Sequence, residues 1–434
     1  MNVLIFGLGV NGGGFTAAKY FLKHNHNVII TDLKCEKDFG KAIEILKKLG
    51  ATFHLGQHLI EDFSWADLVV KNTSILPNNK YLQYAKNIIT DFTYLFENYN
   101  LDNTQIIAIT GTKGKTTATH AIHHVLKKMG YTTKLVGNMG ISAFEIASYL
   151  EKDTKPLDFL ICEFSSWQLR DIFNYIKVDF PPTKISLFTN LLEDHQNTYD
   201  SMERYLQDKL NLFNKNTQNA ICPKAFFKAI TEKTNLKKKN IFFLDEKAIP
   251  ELINKPELIP AYKTLEVLNI KKATILKHLN TFKGVAHRIE WIGTKTNILF
   301  VNDSAATIPE AIEFSLSHFK DLNIHLICGG TDKNLKPNNM LHALTTVKSI
   351  TLLDGTFTQN RLIPFLQEND IKYSGPFNNM KEAFINATDL ANKDQAINMK
   401  LVLLSPGASS FDLFINEFDR GNQFKKLAKE FIDK

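Results

Sequence analysis

Cysteine is scarce: four in 434 residues, with no C-x-x-C pair, which leaves no basis for a disulfide framework. Cys35, Cys162, Cys222 and Cys328 are scattered, and Cys162 and Cys328 lie in apolar, strand-like runs, so they read as buried thiols in a reducing compartment. No stretch of 18 apolar residues occurs, which excludes a membrane-spanning helix. The apolar run from Val3 to Val10 follows no basic segment and leads into a glycine-rich turn, so a signal peptide is not expected and a cytoplasmic protein is. Internal repeats at a solenoid period are missing too, and only residues 214–255 are biased, towards lysine and asparagine. The formal net charge is +7, but the basic residues are spread out and lack interleaved aromatics; even Lys237-Lys238-Lys239 reads as a solvated loop. Nucleic acid is therefore not an expected partner, and the excess charge suits anionic small molecules.

What is present is a globular composition, 44% hydrophobic and 22% charged, in a chain long enough for two or three domains with their own cores. Residues 3–6 read as a strand running into Gly7-Leu8-Gly9-Val10-Asn11-Gly12, then a helix to about His24, a strand over 28–30, and Asp32 at its end. G-x-G-x-x-G followed by an acid is a dinucleotide-fold fingerprint, which alone points to an oxidoreductase. Another strand is expected over 67–70, and the first domain over residues 1–92. A second domain, 93–284, opens with the most informative stretch in the chain: an apolar strand, Ile106 to Ile109, then Thr110-Gly111-Thr112-Lys113-Gly114-Lys115-Thr116-Thr117 and a helix. Backbone N–H groups of such a turn point at phosphate oxygens, the lysine reaches the outer phosphates, and a hydroxyl such as that of Thr116 can hold magnesium. The usual phosphate-loop spacing places a glycine where Ile109 stands, so this loop is a shorter variant. Strands are expected over 159–162, 184–188, 220–221 and 241–244, with a helical tail over 263–279. A third domain, 285–434, alternates strands at 298–301, 325–328, 349–353 and 401–404 with helices. The fold class is α/β, with a Rossmann-like N-terminal domain, a P-loop-type central domain on a mainly parallel sheet, and a Rossmann-like C-terminal domain.

Polar groups cluster where these strands end. Glu163, in Glu163-Phe164-Ser165-Ser166-Trp167-Gln168-Leu169, is either a magnesium ligand at the edge where open α/β sheets bind ligands or a cap for a helix starting near Ser166. Thr189-Asn190-Leu191-Leu192-Glu193-Asp194-His195 gathers two acids and a histidine; histidine is an unusual magnesium ligand, so a solvated turn is the other reading. Lys209 alone reads as a surface lysine, and Gly137-Asn138-Met139-Gly140 as a ligand approach or a plain turn. In the third domain Arg288, Asn302-Asp303-Ser304, Gly329-Gly330-Thr331-Asp332-Lys333 and Ser405-Pro406-Gly407-Ala408-Ser409-Ser410 put several polar loops on one sheet edge, as a second substrate pocket requires.

In this order, G-T-x-G-K-T-T, G-N-x-G, E-x-S-S-x-Q-L, N-x-x-x-D-H, H-R, N-D-S, G-G-x-D-K and L-S-P with Arg420-Gly421 nearby, the whole chain resembles the Mur ligase family. The resemblance implies that the first domain holds the UDP part of a substrate, with Gly9, Val10, Asn11 and Asp32 near the uridine and Asn138 against the UDP-sugar. It implies that Gly111, Thr112, Lys113, Gly114, Lys115, Thr116 and Thr117 bind ATP, joined by Arg288 and Asp303. It also implies two magnesium sites drawing on Thr116, Glu163, His195 and Lys209, the last as a carbamylated lysine. Lys115, Glu163, His195 and Lys209 are then the catalytic set, while Thr307, Lys333 and Ser410 hold the incoming amino acid. The implied activity is an ATP-dependent amide ligation: the carboxylate of UDP-N-acetylmuramoyl-L-alanine takes the γ-phosphate, and the amine of glutamate, D-glutamate foremost, displaces phosphate from the acyl phosphate. That places the chain in cytoplasmic peptidoglycan precursor synthesis, hence in cell wall biogenesis, cell shape and cell division, and as a monomer.

Three departures bear on the amino acid. Ala305 stands where many family members carry a lysine, Glu417 where a ring is often found, and Asn72-Thr73-Ser74 where a Ser-Pro-Gly turn is common. L-glutamate or another acidic amino acid is thus an alternative substrate. A folylpolyglutamate-synthase-like ligase is a rival that lacks the N-terminal G-x-G-x-x-G domain. A dinucleotide oxidoreductase leaves the Gly-Lys-Thr loop unexplained, and a catalytically dead scaffold leaves Lys115, Thr116, Glu163, His195 and Lys209 unexplained.

Overall fold

The computed structural model describes residues 1–9, 13–36, 39, 41–152, 155–192, 199–234, 236–245, 249–252, 255–319, 321–332, 336–396 and 398–433. Val10, Asn11, His195 and Lys333, all expected site residues, lie outside them. The chain packs as two compact units, Met1–Phe282 and Lys283–Lys434.

The first unit holds two sheets. Runs such as Val3-Leu4-Ile5-Phe6 and Ile106-Ile107-Ala108-Ile109 do not alternate with polar residues and are fully buried, as strands covered on both faces must be. β1 (Asn2–Phe6), β2 (Asn27–Asp32), β3 (Thr52–Leu55), β4 (Leu68–Lys71) and β5 (Ile88–Ile89) form an all-parallel sheet in the order β3-β2-β1-β4-β5. The order reverses between β1 and β4, so the ligand crevice of this sheet opens outside their carboxyl ends. β6 (Gln105–Thr110), β7 (Thr133–Gly137), β8 (Phe159–Glu163), β9 (Thr183–Phe188), β10 (Ala220–Cys222) and β11 (Ile241–Phe243) form a second parallel sheet, β11-β10-β9-β6-β8-β7. Here the central β6 lies between β9 and β8, and the loops after all three share one edge.

The second unit carries β12 (Glu290–Lys295), β13 (Ile298–Asn302), β14 (Asn323–Cys328), β15 (Ser349–Leu353), β16 (Ser374–Phe377) and β17 (Lys400–Leu404), in the order β12-β13-β17-β14-β15-β16. β12 and β13 pair antiparallel through Thr296 and Asn297, whose φ of 44° and 66° make the tight turn such a hairpin needs. The other pairings are parallel. The α/β class is as read from the sequence, and so are twelve of these strands; β3, β5, β7, β12 and β16 are not expected from it. The helix expected over 263–279 is instead two, Ile259–Val267 and Lys272–Leu279. Asn269 takes φ 62°, and the Ile270 N–H turns back to the Leu265 carbonyl at 3.2 Å, ending the first helix as a left-handed cap does.

Candidate active site

At the end of β6 the chain turns through Gly111 at φ 144°, where a Cβ would collide with Thr189 Oγ1, so the turn requires glycine. Gly114 then stands before the helix Lys115–Lys128 and provides no side-chain cap, which leaves the first N–H groups of that helix facing outward. The loop is held from the β9 side. Asn190 accepts from Thr112 N at 3.0 Å through its carbonyl and from Lys113 N at 2.9 Å through Oδ1, and Thr189 Oγ1 donates to the Lys113 carbonyl at 2.7 Å. Lys115 Nζ folds over the loop to the Gly111 and Thr112 carbonyls at 2.9 and 3.0 Å. Thr116 and Thr117 are half-buried at the helix start. A preformed nest of N–H groups with a lysine across it is an anion site shaped for polyphosphate.

Two further groups converge on this edge. Glu163, at the end of β8, is 1% exposed; Oε1 accepts from Asn138 Nδ2 at 3.3 Å, while Oε2 has no partner among the described residues. It is not the helix cap: Ser165 caps the helix Ser166–Arg170, in a reciprocal box with Gln168. Asn138 is placed by Gly137 (φ 120°), whose hydrogen faces the Glu163 carbonyl where any Cβ would clash, and by an Asn138 N–H to Glu163 O bond of 3.0 Å. Lys209, on the helix Met202–Leu210, is 2% exposed, donates to the Gly111 carbonyl at 2.7 Å and lies 4.4 Å from the Tyr205 ring centroid. The surface reading of Lys209 is therefore wrong: it is buried against the phosphate loop.

In the first sheet the glycine-rich turn after β1 closes on Asp32, whose Oδ2 accepts from Leu8 N at 2.9 Å and Gly9 N at 3.4 Å and whose Oδ1 accepts from Lys34 N at 3.0 Å. In the second unit, the loops after β13, β17 and β14 meet on one edge. Gly329 N donates to Pro406 O at 2.8 Å, Thr331 N to Ser409 O at 2.9 Å and Gly407 N to Ala306 O at 2.8 Å. Ser410 is 2% exposed with its hydroxyl unpartnered among the described residues; Thr307 is half-buried in the β13 loop and Arg288 is exposed. Asp303 uses both oxygens internally, towards Ile289 N, Ser405 Oγ and Ser315 Oγ. Burial pushes its carboxyl up to about 6 against those bonds.

The model of the Mur ligase middle domain matches residues 109–260. UDP-N-acetylmuramoylalanine–D-glutamate ligase of Borreliella afzelii is 35% identical, over 98% of this chain and 97% of its own length. The ligase of the same name from Roseiflexus sp. is 30% identical, over 99% and 98%. The chain belongs to the Mur ligase family. A solved UDP-N-acetylmuramate–alanine ligase of Thermotoga maritima, 16% identical over 99% of this chain and all of the other, shares the fold with a TM-score of 0.59.

Membership implies ATP and magnesium, and the Mur ligase cradle fits both. The outward N–H groups and Lys115 suit the phosphates, and an orphaned buried carboxylate oxygen on Glu163 is what an oxygen-seeking cation would satisfy. Asn190, quoted in the sequence only as the first residue of the N-x-x-x-D-H motif and given no role there, holds two loop N–H groups. Arg420, quoted only as part of a motif, is 0% exposed and donates to Ser304 Oγ and to the Ser304, Ala408 and Ser409 carbonyls at 2.9–3.1 Å. Burial pulls its guanidinium down to about 9, so it stays cationic at neutral pH while pinning the loop that presents Ser410.

Proposed function

We propose that this enzyme joins D-glutamate to UDP-N-acetylmuramoyl-L-alanine at the expense of ATP, in peptidoglycan precursor synthesis in the cytoplasm, acting as a monomer. The observation that carries the reading is the end-to-end similarity to D-glutamate ligases at up to 35% identity. The three-domain division at residues 92 and 284 belongs to the same proposal.

In this scheme the phosphate loop grips ATP through its backbone N–H groups, and Lys115 leaves its carbonyl partners for the β- and γ-phosphates. Bound magnesium supplies charge neutralisation between the phosphates and the attacking carboxylate; Thr116, Glu163, His195 and a carbamylated Lys209 would hold it. Asn138 orients Glu163 and meets the sugar, while Gly9, Val10, Asn11 and Asp32 flank the uridine. Arg288 and Asp303 serve ATP; Thr307, Lys333 and Ser410 take the amino acid, the Ser410 hydroxyl donating to its carboxylate. The bond from the γ-phosphorus to ADP breaks as the acyl phosphate forms, and the glutamate amine then expels phosphate.

Phosphate release from ATP with UDP-N-acetylmuramoyl-L-alanine and, separately, D-glutamate, L-glutamate, D-aspartate, glycine or no amino acid tests the reading. Release only with D-glutamate is expected. Release favouring L-glutamate would assign Ala305 and Glu417 to an altered pocket, and silence throughout would overturn the substrate. Lys115→Ala should fold normally and release no phosphate.

A further inference from the structure

Lys71 is the last residue of β4, at the switch point of the first sheet, and its ammonium is wholly buried. It donates to Asp171 Oδ2 at 2.7 Å, to the Ile75 carbonyl at 2.8 Å and to the Asn72 carbonyl at 3.2 Å. One ammonium therefore ties both ends of the 72–75 loop to a residue a hundred positions on. That loop lines the crevice beside the glycine-rich turn: Asn72 N donates to Phe6 O at 2.9 Å, and Asn72 Nδ2 reaches Gly7 O at 3.4 Å.

Asp171 opens a wide, π-type turn, Asp171–Ile176, directly after the helix capped by Ser165 and eight residues after Glu163. Tyr175 of this turn packs against the first sheet's cluster of Leu4, Phe6 and Phe63. On its other side, Asn174 Nδ2 donates to Asp208 Oδ1 at 3.2 Å, next to Lys209. The turn thus touches the crevice loop of one sheet and the Lys209 helix of the other. A fully buried ion pair is a poor device for stability alone, because desolvation offsets much of its attraction, and Asp171 Oδ1 is left without a partner among the described residues. Such a pair calls for a geometric role.

We infer that Lys71 and Asp171 are positioning residues that fix the 72–75 loop relative to Glu163 and Lys209, and so set the fit of the UDP-sugar substrate across the two sheets. The inference rests on the function proposed above. It deepens that function by assigning a substrate-positioning strut outside the phosphate and metal groups.

The test compares the full-length wild type with Asp171→Asn and with the charge-free pair Lys71→Met/Asp171→Leu, which leaves no buried charge unpaired. The KM for UDP-N-acetylmuramoyl-L-alanine should rise about tenfold in both variants while the KM for ATP stays put, the size expected of a coupling between packed groups. Circular dichroism and thermal unfolding check that each variant is folded. A purely structural pair would lower the melting temperature and leave both KM values alone; that outcome, or a folded double variant with wild-type KM, overturns the inference. A wild type silent on this substrate would overturn the functional reading and the inference with it, so the two failures are distinguishable.

Discussion

Glu163 keeps one carboxylate oxygen buried with no partner among the described residues, a cost a protein retains where a ligand will repay it. Stability and activity should therefore move in opposite directions at this residue. Glu163→Gln removes the buried charge and should melt no lower than wild type, while turnover falls by about two orders of magnitude or more. A thermal scan beside a phosphate-release assay decides it; a variant that is both destabilised and active would contradict the ligand role. Asp303 gives a pH signature. Its folded carboxyl sits near 6 because it is buried, against an ordinary 3.8, so between those values the folded state holds a proton that the unfolded chain has released. Stability from this group is then highest below about pH 4 and declines as pH rises through 6, by roughly 3 kcal/mol for a shift of about two units. Urea unfolding at pH 4.5 and 7 should show that decline in wild type relative to Asp303→Asn; parallel curves would refute it.

At the level of elements, the site depends on how strand ends are forced together. Gly137 ends β7 at φ 120° with the Glu163 carbonyl where a side chain would begin. Gly137→Ala must push β8 away or abandon the turn, at about 2–4 kcal/mol, and should take activity down with stability. Asn138→Ala next to it leaves the backbone turn intact, and should reduce turnover with little change in melting temperature. Parallel loss of stability in the two variants would show that the turn, not the amide, matters. The sequence made much of this legible, because runs like Ile106 to Ile109 ending in Gly-x-x-Gly-Lys-Thr carry strand, turn and helix start in one stretch. Other elements were hidden. β3, with Thr52, Phe53, His54 and Leu55 partly exposed, offers no apolar run, and neither does β12, which reads Glu290-Trp291-Ile292-Gly293-Thr294-Lys295. The burial of Lys209 and the Lys71–Asp171 pair were illegible because each depends on a neighbour distant in sequence, here 98 and 100 positions away.

Across the whole molecule, hydrophobic cores divide where the chain does. One cluster runs from Val3 in the first sheet and Phe21 on the helix Gly13–Lys23 to Phe144, Phe164 and Leu210 around the second, which is why two sheets make a single unit. The clusters around Leu326 and Leu403 and around Phe384 and Phe424 lie wholly within residues 289–432. A segment with its own core and a sheet that draws every strand from within it should fold alone. The fragment 283–434 is therefore expected to unfold in one cooperative urea transition followed by circular dichroism. Arg420 is the most exacting check on that fragment. Its guanidinium, wholly buried, satisfies three carbonyls and a hydroxyl, so Arg420→Met strands those carbonyls in the interior. At about 1–3 kcal/mol for each buried acceptor left unmade, the variant fragment should lose at least about 3 kcal/mol. A loss below 1 kcal/mol would mean that the loop carrying Ser410 relaxes freely to water, and that its shape is not set by the arginine beneath it.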